Sequence, residues 1–305
     1  MLQKIILFEE SISHKTHMPT ESLSRLLIRL SRPVMQALGY SSQIIETSEG
    51  QAHYYQIKGR GKLPPIVVLH GFGTHAAEMY PLLQQLRGAT QQLIAVDLPM
   101  HGLSQVPQAG VSLSALDSMF FEALDQVLRS IEPAILFGNS LGGLAALRYY
   151  LYHPDNVRLM VLSSPAGAGV TQETFESVRH IFENVSQEQP EEVVARLYNA
   201  PPFYQWFIAR DIQVRFARQE LKELMNYFRT EYTFSPEDLQ KIAIPTLIVW
   251  GKQDRILENQ LQFFKDHAPA NVRFLEPHYY SHAPYLEHAR ELAHQLRSFA
   301  LLHCT

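Results

Sequence analysis

Short apolar runs alternate with longer segments of helical periodicity along most of the chain. The apolar runs are rich in β-branched residues and have the length of strands that are buried on both faces. They span residues 66–69, 93–96, 134–137, 157–162, 244–250 and 272–275. The helical segments span residues 76–86, 113–131, 141–152, 258–267 and 284–302. This alternation predicts an α/β fold with a mostly parallel sheet that helices cover on both faces.

Two regions depart from this alternation. Residues 43–57 contain two strand-like segments on either side of Glu49-Gly50, a turn signal that predicts a β-hairpin. Between residues 167 and 236 no buried-strand run occurs, and the pattern is helical and rich in aromatic residues. The aromatic residues are Phe203, Tyr204, Trp206, Phe207, Phe216, Tyr227, Phe228, Tyr232 and Phe234. This segment is therefore predicted to be a helical insertion into an α/β domain formed by residues 41–166 and 237–305.

Residues 19–38 predict an N-terminal helix within an arm that spans residues 1–40. Leucines recur at helical spacing, and Arg25, Arg29 and Arg32 occupy the other faces. A basic amphipathic helix of this kind either docks on the main domain or lies on an anionic lipid surface. The sequence leaves both interpretations open, so peripheral membrane contact through residues 19–38 is a hypothesis.

Composition limits the class of protein. A chain of 305 residues with 46% hydrophobic and 18% charged residues is ordinary for a globular domain with a large core. The formal net charge of −4 gives no reason to expect a nucleic-acid partner, and the single cysteine, Cys304, favours a reducing compartment. The apolar run at residues 2–8 is too short for a signal peptide, and no stretch approaches the ~18 apolar residues of a membrane span. We therefore expect a cytoplasmic protein, membrane-associated if the N-terminal helix binds lipid.

Residues 138–142 have the sequence Gly-Asn-Ser-Leu-Gly and lie between a predicted buried strand and a predicted helix. A serine at such a tight turn adopts a strained backbone conformation, and the glycine on either side leaves room for the turn. The turn exposes the hydroxyl above the sheet edge, while the following helix directs its positive N-terminus toward the site. Ser140 is therefore the candidate nucleophile. The alternative is an ordinary glycine-rich turn with a capping serine.

A serine nucleophile needs a base to take its proton and an acid to orient that base. Both are expected beyond the carboxyl ends of strands. Asp254 follows the strand run at residues 244–250. His282 follows the run at residues 272–275, which gives the serine–acid–histidine chain order of sheet enzymes with a nucleophile elbow. His278 is a second candidate base in the same loop, and a loop or capping role is the alternative for Asp254. We prefer His282 because it directly precedes the last predicted helix, where the loop can fold back over the nucleophile.

Two backbone amides must stabilise the oxyanion that forms during acyl transfer. Leu141, directly after the nucleophile at the helix N-terminus, is one predicted donor. Phe72, in the His-Gly-Phe-Gly loop at residues 70–73, is the other, because the flanking glycines allow this loop to aim an amide inward. No zinc-ligand spacing occurs and this chemistry requires no metal or organic cofactor, so none is expected.

The chain resembles the α/β-hydrolases over residues 43–302. The matching segments are residues 70–73 (His-Gly-Phe-Gly), 97–104 (Asp-Leu-Pro-Met-His-Gly-Leu-Ser), 138–143 (Gly-Asn-Ser-Leu-Gly-Gly), 250–254 (Trp-Gly-Lys-Gln-Asp) and 281–287 (Ser-His-Ala-Pro-Tyr-Leu-Glu). Within that superfamily it is most similar to the capped monoacylglycerol-lipase and carboxylesterase branch, on residues 163–167 and 248–254. The resemblance implies that residues 167–236 form a helical cap over the active site. Met100 and Ser281 depart from it, since the family usually has glycine at both positions.

The expected function is hydrolysis of carboxylic esters by a serine hydrolase through an acyl-enzyme. The expected partner is an apolar ester, such as a monoacylglycerol or a similar lipid-like molecule. The aromatic insertion favours an apolar acyl chain if its rings face the substrate, but not if they only pack the insertion's own core. The resemblance leaves a carbon–carbon bond hydrolase of ring-cleavage dienones as the alternative, because such enzymes often share the Gly-Asn-Ser turn. A non-catalytic ligand receptor on the same fold is a more distant alternative.

Overall fold

An eight-stranded sheet forms the centre of the molecule in a computed structural model that describes residues 20–129, 131–169, 171–185, 190–227, 233–258 and 260–304. The strands are β1 (Ser41–Thr47), β2 (Gly50–Lys58), β3 (Ile66–Leu69), β4 (Gln92–Asp97), β5 (Ala134–Asn139), β6 (Val157–Ser163), β7 (Thr246–Val249) and β8 (Val272–Leu275). Their order in the sheet is β1-β2-β4-β3-β5-β6-β7-β8. The first two strands form the predicted hairpin, and all strands from β4 onward in this order pair in parallel.

Helices connect the strands and cover both faces of the sheet. They are α1 (Thr20–Ala37), α2 (Tyr80–Leu86), α3 (Leu113–Leu128), α4 (Leu141–Tyr152), α5 (Gln172–Val185), α6 (Pro190–Leu197), α7 (Gln205–Phe216), α8 (Gln219–Tyr227), α9 (Pro236–Gln240), α10 (Leu261–His267), α11 (Pro284–Glu287) and α12 (Ala289–Cys304). Short 3₁₀ helices occur at Ala76–Met79 and Pro154–Asn156. This architecture confirms the predicted α/β fold with its mostly parallel, doubly covered sheet.

The buried strands are apolar on both faces because each face packs against its own cluster of helices. In β3, Ile66 and Val68 belong to one cluster, which includes side chains of α2 and α12. Val67 and Leu69 belong to the other cluster, which includes side chains of α3 and α4. All four residues are fully buried. A continuous apolar run is therefore required in place of the alternation that a half-exposed strand shows.

The structure corrects three of the predicted helix boundaries. The segment at residues 76–86 divides into a 3₁₀ turn and α2, which has a proline in its first turn. The segment at residues 284–302 divides into α11 and α12 at His288, whose φ of −126° and ψ of 32° are not helical. Its ring stacks on Tyr280 with the centroids 5.1 Å apart, a tertiary contact that helical periodicity does not reveal. Helix α10 begins at Leu261, three residues later than predicted.

Four helices, α5 to α8, occupy the described part of residues 167–236, which contains no strand. They pack against one another, α6 on α7 and α5 on both. The backbone amide of Phe234 donates to the carbonyl of Gly167 at 2.7 Å and joins the two ends of this segment. The helical pattern predicted for the segment is therefore present.

The N-terminal helix α1 packs on the rest of the molecule through one face. It contacts β1 and α7, and the side chains of Ile28 and Met35 are buried. Arg29 and Arg32 are exposed. The apolar run at residues 2–8 lies outside the described residues. No helix in the described ranges is both long enough and apolar enough to span a bilayer.

Candidate active site

Ser140 lies in a strained turn between β5 and α4. Its φ of 54° and ψ of −116° fall outside the regions that non-glycine residues ordinarily adopt. The backbone leaves no room for side chains beside it. A Cβ on Gly138 would lie 2.2 Å from the carbonyl oxygen of Gly142, and a Cβ on Gly142 would lie 2.3 Å from that of Leu69. The glycines of the Gly-x-Ser-x-Gly segment are therefore required by close backbone contacts, as the sequence pattern predicts.

The register of the sheet brings the predicted site residues to one edge. Leu69 of β3 pairs with Gly138 of β5, and Ser163 of β6 pairs with Val249 of β7. The carboxyl ends of these parallel strands consequently lie side by side. Phe72, Ser140, Asp254 and His282 all follow the ends of strands at this edge.

Asp254 and His282 form a buried hydrogen-bonded pair. The Nδ1 of His282 donates to the Oδ2 of Asp254 at 2.9 Å, and the two side chains are 5% and 1% exposed, respectively. The Oδ1 of Asp254 accepts from the backbone amides of Ile256 and Leu257 at 2.9 and 3.1 Å. Burial raises the pKa of the Asp254 carboxyl, but the neighbouring imidazole and these hydrogen bonds outweigh burial and lower it below its ordinary value. The carboxylate therefore stays charged and fixes the orientation of the ring.

His278, the second candidate base, is exposed, and its backbone carbonyl accepts a hydrogen bond from the Gln253 side chain at 3.0 Å. Of the two histidines, His282 is the one that pairs with Asp254. The geometry thus favours the histidine that directly precedes α11.

Asn139 links the turn at Ser140 to the histidine loop, a role that the sequence pattern does not predict. Its side chain is buried, and its Nδ2 donates to the backbone carbonyls of Ser163 and His282, both at 3.1 Å. The backbone amide of Ser140 also donates to the Ser163 carbonyl, at 3.0 Å. One side chain therefore fixes the position of the His282 backbone relative to Ser140. The only sequence signal was its place directly before the serine.

Both predicted oxyanion donors lie beside Ser140. Leu141 is the first residue of α4, and its backbone amide makes no hydrogen bond to the described residues. The loop that carries Phe72 packs against Ser140, since a Cβ on Gly71 would lie 3.5 Å from the Ser140 Cβ. The Phe72 ring contacts the rings of Phe182 and Phe216, with centroids 5.5 and 5.4 Å away. Phe72 thus joins the candidate oxyanion loop to the inserted helices.

A mostly apolar cavity opens from Ser140 toward the inserted helices. Its lining residues are Phe72, Ser140, Leu141, Leu144, Ala166, Gly167, Ala168, Phe175, Val178, Arg179, Phe182, Met225, Thr233, Ile256, Leu257 and Gln260. The aromatic side chains of its wall come from α5 and the Phe72 loop, and not from the aromatic cluster at residues 203–207. In that cluster, Phe203 is 94% exposed and Trp206 is 53% exposed, so they neither line this cavity nor pack a core. Phe228 and Tyr232 lie outside the described residues.

Met100, the first departure from the family pattern, adopts the conformation that glycine accommodates without strain. Its φ is 68°, and its side chain is fully buried. A left-handed conformation costs a non-glycine residue about 1–2 kcal/mol, whereas burial of a methionine side chain contributes roughly 1.5–3 kcal/mol. Burial therefore offsets the strain, and the loop keeps its turn without the glycine.

Ser281, the second departure from the family pattern, connects the histidine loop to the inserted helices through a hydrogen bond. Its hydroxyl donates to the carboxylate of Glu287. That carboxylate also accepts from the backbone amides of Asn199 and Ala200, at 3.1 and 3.0 Å. These two residues lie between α6 and α7. A glycine at position 281 would lack this connection.

Comparison with known proteins identifies the family of the chain. The model of the Alpha/beta hydrolase family matches residues 66–295, so the chain belongs to the α/β hydrolases. It is 27% identical to the monoacylglycerol lipase ABHD6 of Mus musculus over 224 residues, which are 67% of this chain and slightly less than two thirds, 66%, of the mouse protein. It is 26% identical to a 2-hydroxy-6-oxononadienedioate/2-hydroxy-6-oxononatrienedioate hydrolase of Paraburkholderia phymatum, over 71% of this chain and 81% of that protein. The crystal structure of a membrane phospholipase A, a bacterial virulence factor, matches with a TM-score of 0.74 at 22% identity, over 100% of this chain and 98% of that one. The predicted superfamily is thereby confirmed.

Proposed function

We propose that the protein is a serine hydrolase that cleaves carboxylic esters through an acyl-enzyme on Ser140. The observation that carries this proposal is the buried pair of His282 and Asp254, which Asn139 fixes beside the strained serine turn. The similarity of the chain to the mouse monoacylglycerol lipase supports an ester as the substrate.

The proposed mechanism has two acyl-transfer steps. His282 takes the proton of Ser140 as its Oγ attacks the ester carbonyl, and the amides of Phe72 and Leu141 donate to the developing oxyanion. His282 then gives the proton to the leaving alcohol. The same base activates water, which hydrolyses the acyl-enzyme. Asp254 holds the imidazole with Nε2 toward the serine and stabilises its charged form.

The cavity supports an uncharged, apolar acyl group. Arg179 is the only cation of its described wall, and two carboxylates already neutralise this guanidinium. Glu176 lies 2.7 Å from it and Glu183 lies 3.3 Å from it. A carboxylate on the substrate would therefore meet a net negative group at this wall, and its loss of hydration would be poorly compensated.

Hydrolysis of a carbon–carbon bond in a dienone is the second candidate, favoured by the similarity to the Paraburkholderia phymatum enzyme. Substrates of that kind carry carboxylates, and the paired Arg179 does not suit them. A panel that compares kcat/KM for a monoacylglycerol with that for a dienone acid separates the two functions. We expect turnover of the monoacylglycerol to dominate.

The nucleophile is tested with the Ser140→Ala variant. Fluorophosphonate labelling should disappear, and p-nitrophenyl octanoate turnover should fall at least about 10³-fold, because the variant lacks the hydroxyl that forms the acyl-enzyme in this mechanism. Ser177→Ala, at an exposed position on α5, is the matched control and should keep both. Labelling or turnover retained by Ser140→Ala would refute the assignment.

We further propose that residues 167–236 act as a cap and that α1 contacts an anionic membrane surface. The cavity wall supplied by α5 and α8 supports the proposal of a cap.

The faces of α1 support the proposal of membrane contact. Ile28 and Met35 dock on the domain, and Arg29 and Arg32 lie in solvent. Docking on the domain and binding to lipid therefore involve different faces of one helix and are compatible.

A further inference from the structure

Gln260 places a polar side chain in the wall of the otherwise largely apolar cavity beside Ser140. The residue is only 5% exposed and lies directly before α10. It belongs to the same short segment as Asp254, whose carboxylate anchors the backbone amides of Ile256 and Leu257. The backbone amide of Gln260 donates to the carbonyl of Leu257 at 3.2 Å. Its position is thus held relative to the candidate catalytic acid.

The side chain of Gln260 has no partner among the described residues. It occupies the N-cap of α10 but makes no capping hydrogen bond, and glutamine is not among the residues that favour this position. No other hydrogen bond of its amide occurs within the described ranges of the chain. None of its polar atoms is among the fully buried atoms without a partner, so the amide faces the open space of the cavity. Neither helix capping nor packing therefore explains a glutamine here, whereas a ligand in the cavity would supply the missing partner.

The cavity lies on the acyl side of the scissile ester. Its wall includes Ser140 and both candidate oxyanion residues, but neither Asp254 nor His282. The leaving alcohol must receive its proton from His282 and therefore departs on the histidine side. A group that reaches Gln260 through this cavity consequently belongs to the acyl chain.

We propose that Gln260 recognises an uncharged oxygen group, a hydroxyl or carbonyl, on the acyl chain of the substrate. This inference rests on the proposed ester hydrolysis. An amide both donates and accepts hydrogen bonds, so it suits either group. The ion-paired Arg179 leaves no free cation on the described wall for a charged group. The substrate class is therefore an ester of a hydroxy- or oxo-substituted fatty acid, recognised at a point beyond the scissile carbonyl.

The test compares p-nitrophenyl octanoate with the isomers that carry one hydroxyl at successive positions of the octanoyl chain. The wild type should prefer at least one isomer over the unsubstituted ester by roughly 5- to 10-fold in kcat/KM, the effect of one hydrogen bond. Gln260→Met, which is apolar and of similar length, should reduce this ratio to about one. The Tm of this variant should stay close to that of the wild type, because the amide faces the cavity and makes no hydrogen bond to the described residues. Met225→Leu, on the same wall, is the control that should keep the ratio.

Several results would overturn this inference. If the kcat/KM ratios of the hydroxylated isomers to the unsubstituted ester stay unchanged in Gln260→Met, with or without a lower Tm, the glutamine has a structural role only. A loss confined to the preference for 1-octanoylglycerol over propyl octanoate would place the recognised oxygen on the alcohol side. If the wild type itself turned over no ester, the proposed function would fail and this inference would fail with it. That result is distinguishable from failure of the Gln260 inference alone, because no variant would then differ from the wild type.

Discussion

Asn139 is the residue that joins the turn at Ser140 to the histidine loop. Asn139→Leu would remove both donors of its amide and leave the buried carbonyls of Ser163 and His282 without this partner. We expect kcat to fall by about 10- to 100-fold with little change in KM, because the imidazole would lose its fixed distance from Ser140. Steady-state kinetics and the rate of fluorophosphonate labelling measure this effect.

Ser163→Ala is the matched control for Asn139→Leu. It removes a buried hydroxyl that makes no hydrogen bond to the described residues but keeps the backbone carbonyl that Asn139 contacts. Activity and stability should be close to those of the wild type. A lower Tm with unchanged kcat in Asn139→Leu would show that the asparagine serves the fold alone.

Single residues differ in how far the sequence predicts their roles. Ser140, Asp254 and His282 follow strand ends, and strand ends are visible as the limits of apolar runs. The role of Asn139 depends on a hydrogen bond to a residue 143 positions away, which no local pattern encodes. Gln260 lies in the segment predicted as a helix at residues 258–267, where a polar residue is typical of an exposed position. Its burial depends on its place in the cavity wall directly before α10, which helical periodicity does not encode.

At the scale of elements, β3 to β7 were predictable because they are buried on both faces over most of their length and need continuous apolar runs. The edge strand β8 is the exception, since its Arg273 is exposed. Helical periodicity placed α3 and α4 well for a similar reason, since each presents an apolar face to the sheet. It did not reveal the break at His288, where a stacking contact with Tyr280 accompanies a local departure from helical geometry. Tertiary contacts of this kind override local propensity.

Helix α1 is the element through which membrane contact can be tested. Reversing the charges of its exposed arginines with Arg29→Glu and Arg32→Glu should lower binding to vesicles that contain phosphatidylserine by about tenfold or more at low salt, because each basic group near an anionic surface contributes about 1 kcal/mol. Arg60→Glu with Lys62→Glu, a pair of exposed basic residues in a different loop, is the control and should bind as the wild type does. Co-sedimentation that is equal for both double variants would refute contact through α1.

The stability of the whole molecule depends on a buried carboxylate at the end of β4. Asp97 accepts hydrogen bonds from the His53 ring at 2.7 Å and from the backbone amides of Ala76 and Leu103, at 2.7 and 2.9 Å. It thereby connects β2 and β4 with the two loops beside them. Burial raises the pKa of this carboxyl, but the His53 hydrogen bond and the charges of nearby histidines outweigh it and lower the pKa from 3.8 to about 2.

Because the folded-state pKa lies below the ordinary value, the ionised Asp97 stabilises the fold above pH ~4, and this contribution is lost as the pH falls toward ~2. The shift corresponds to about 2 kcal/mol. Asp97→Asn should therefore lower the free energy of unfolding at pH 7 by roughly 3 kcal/mol, because the amide nitrogen also meets a donor where the carboxylate accepts. Urea unfolding at a series of pH values from 7 to 3 should show the difference from the wild type narrowing below pH ~4. The exposed Asp155→Asn should change neither quantity, and a constant difference across this range would mean that Asp97 acts through packing instead of through its charge.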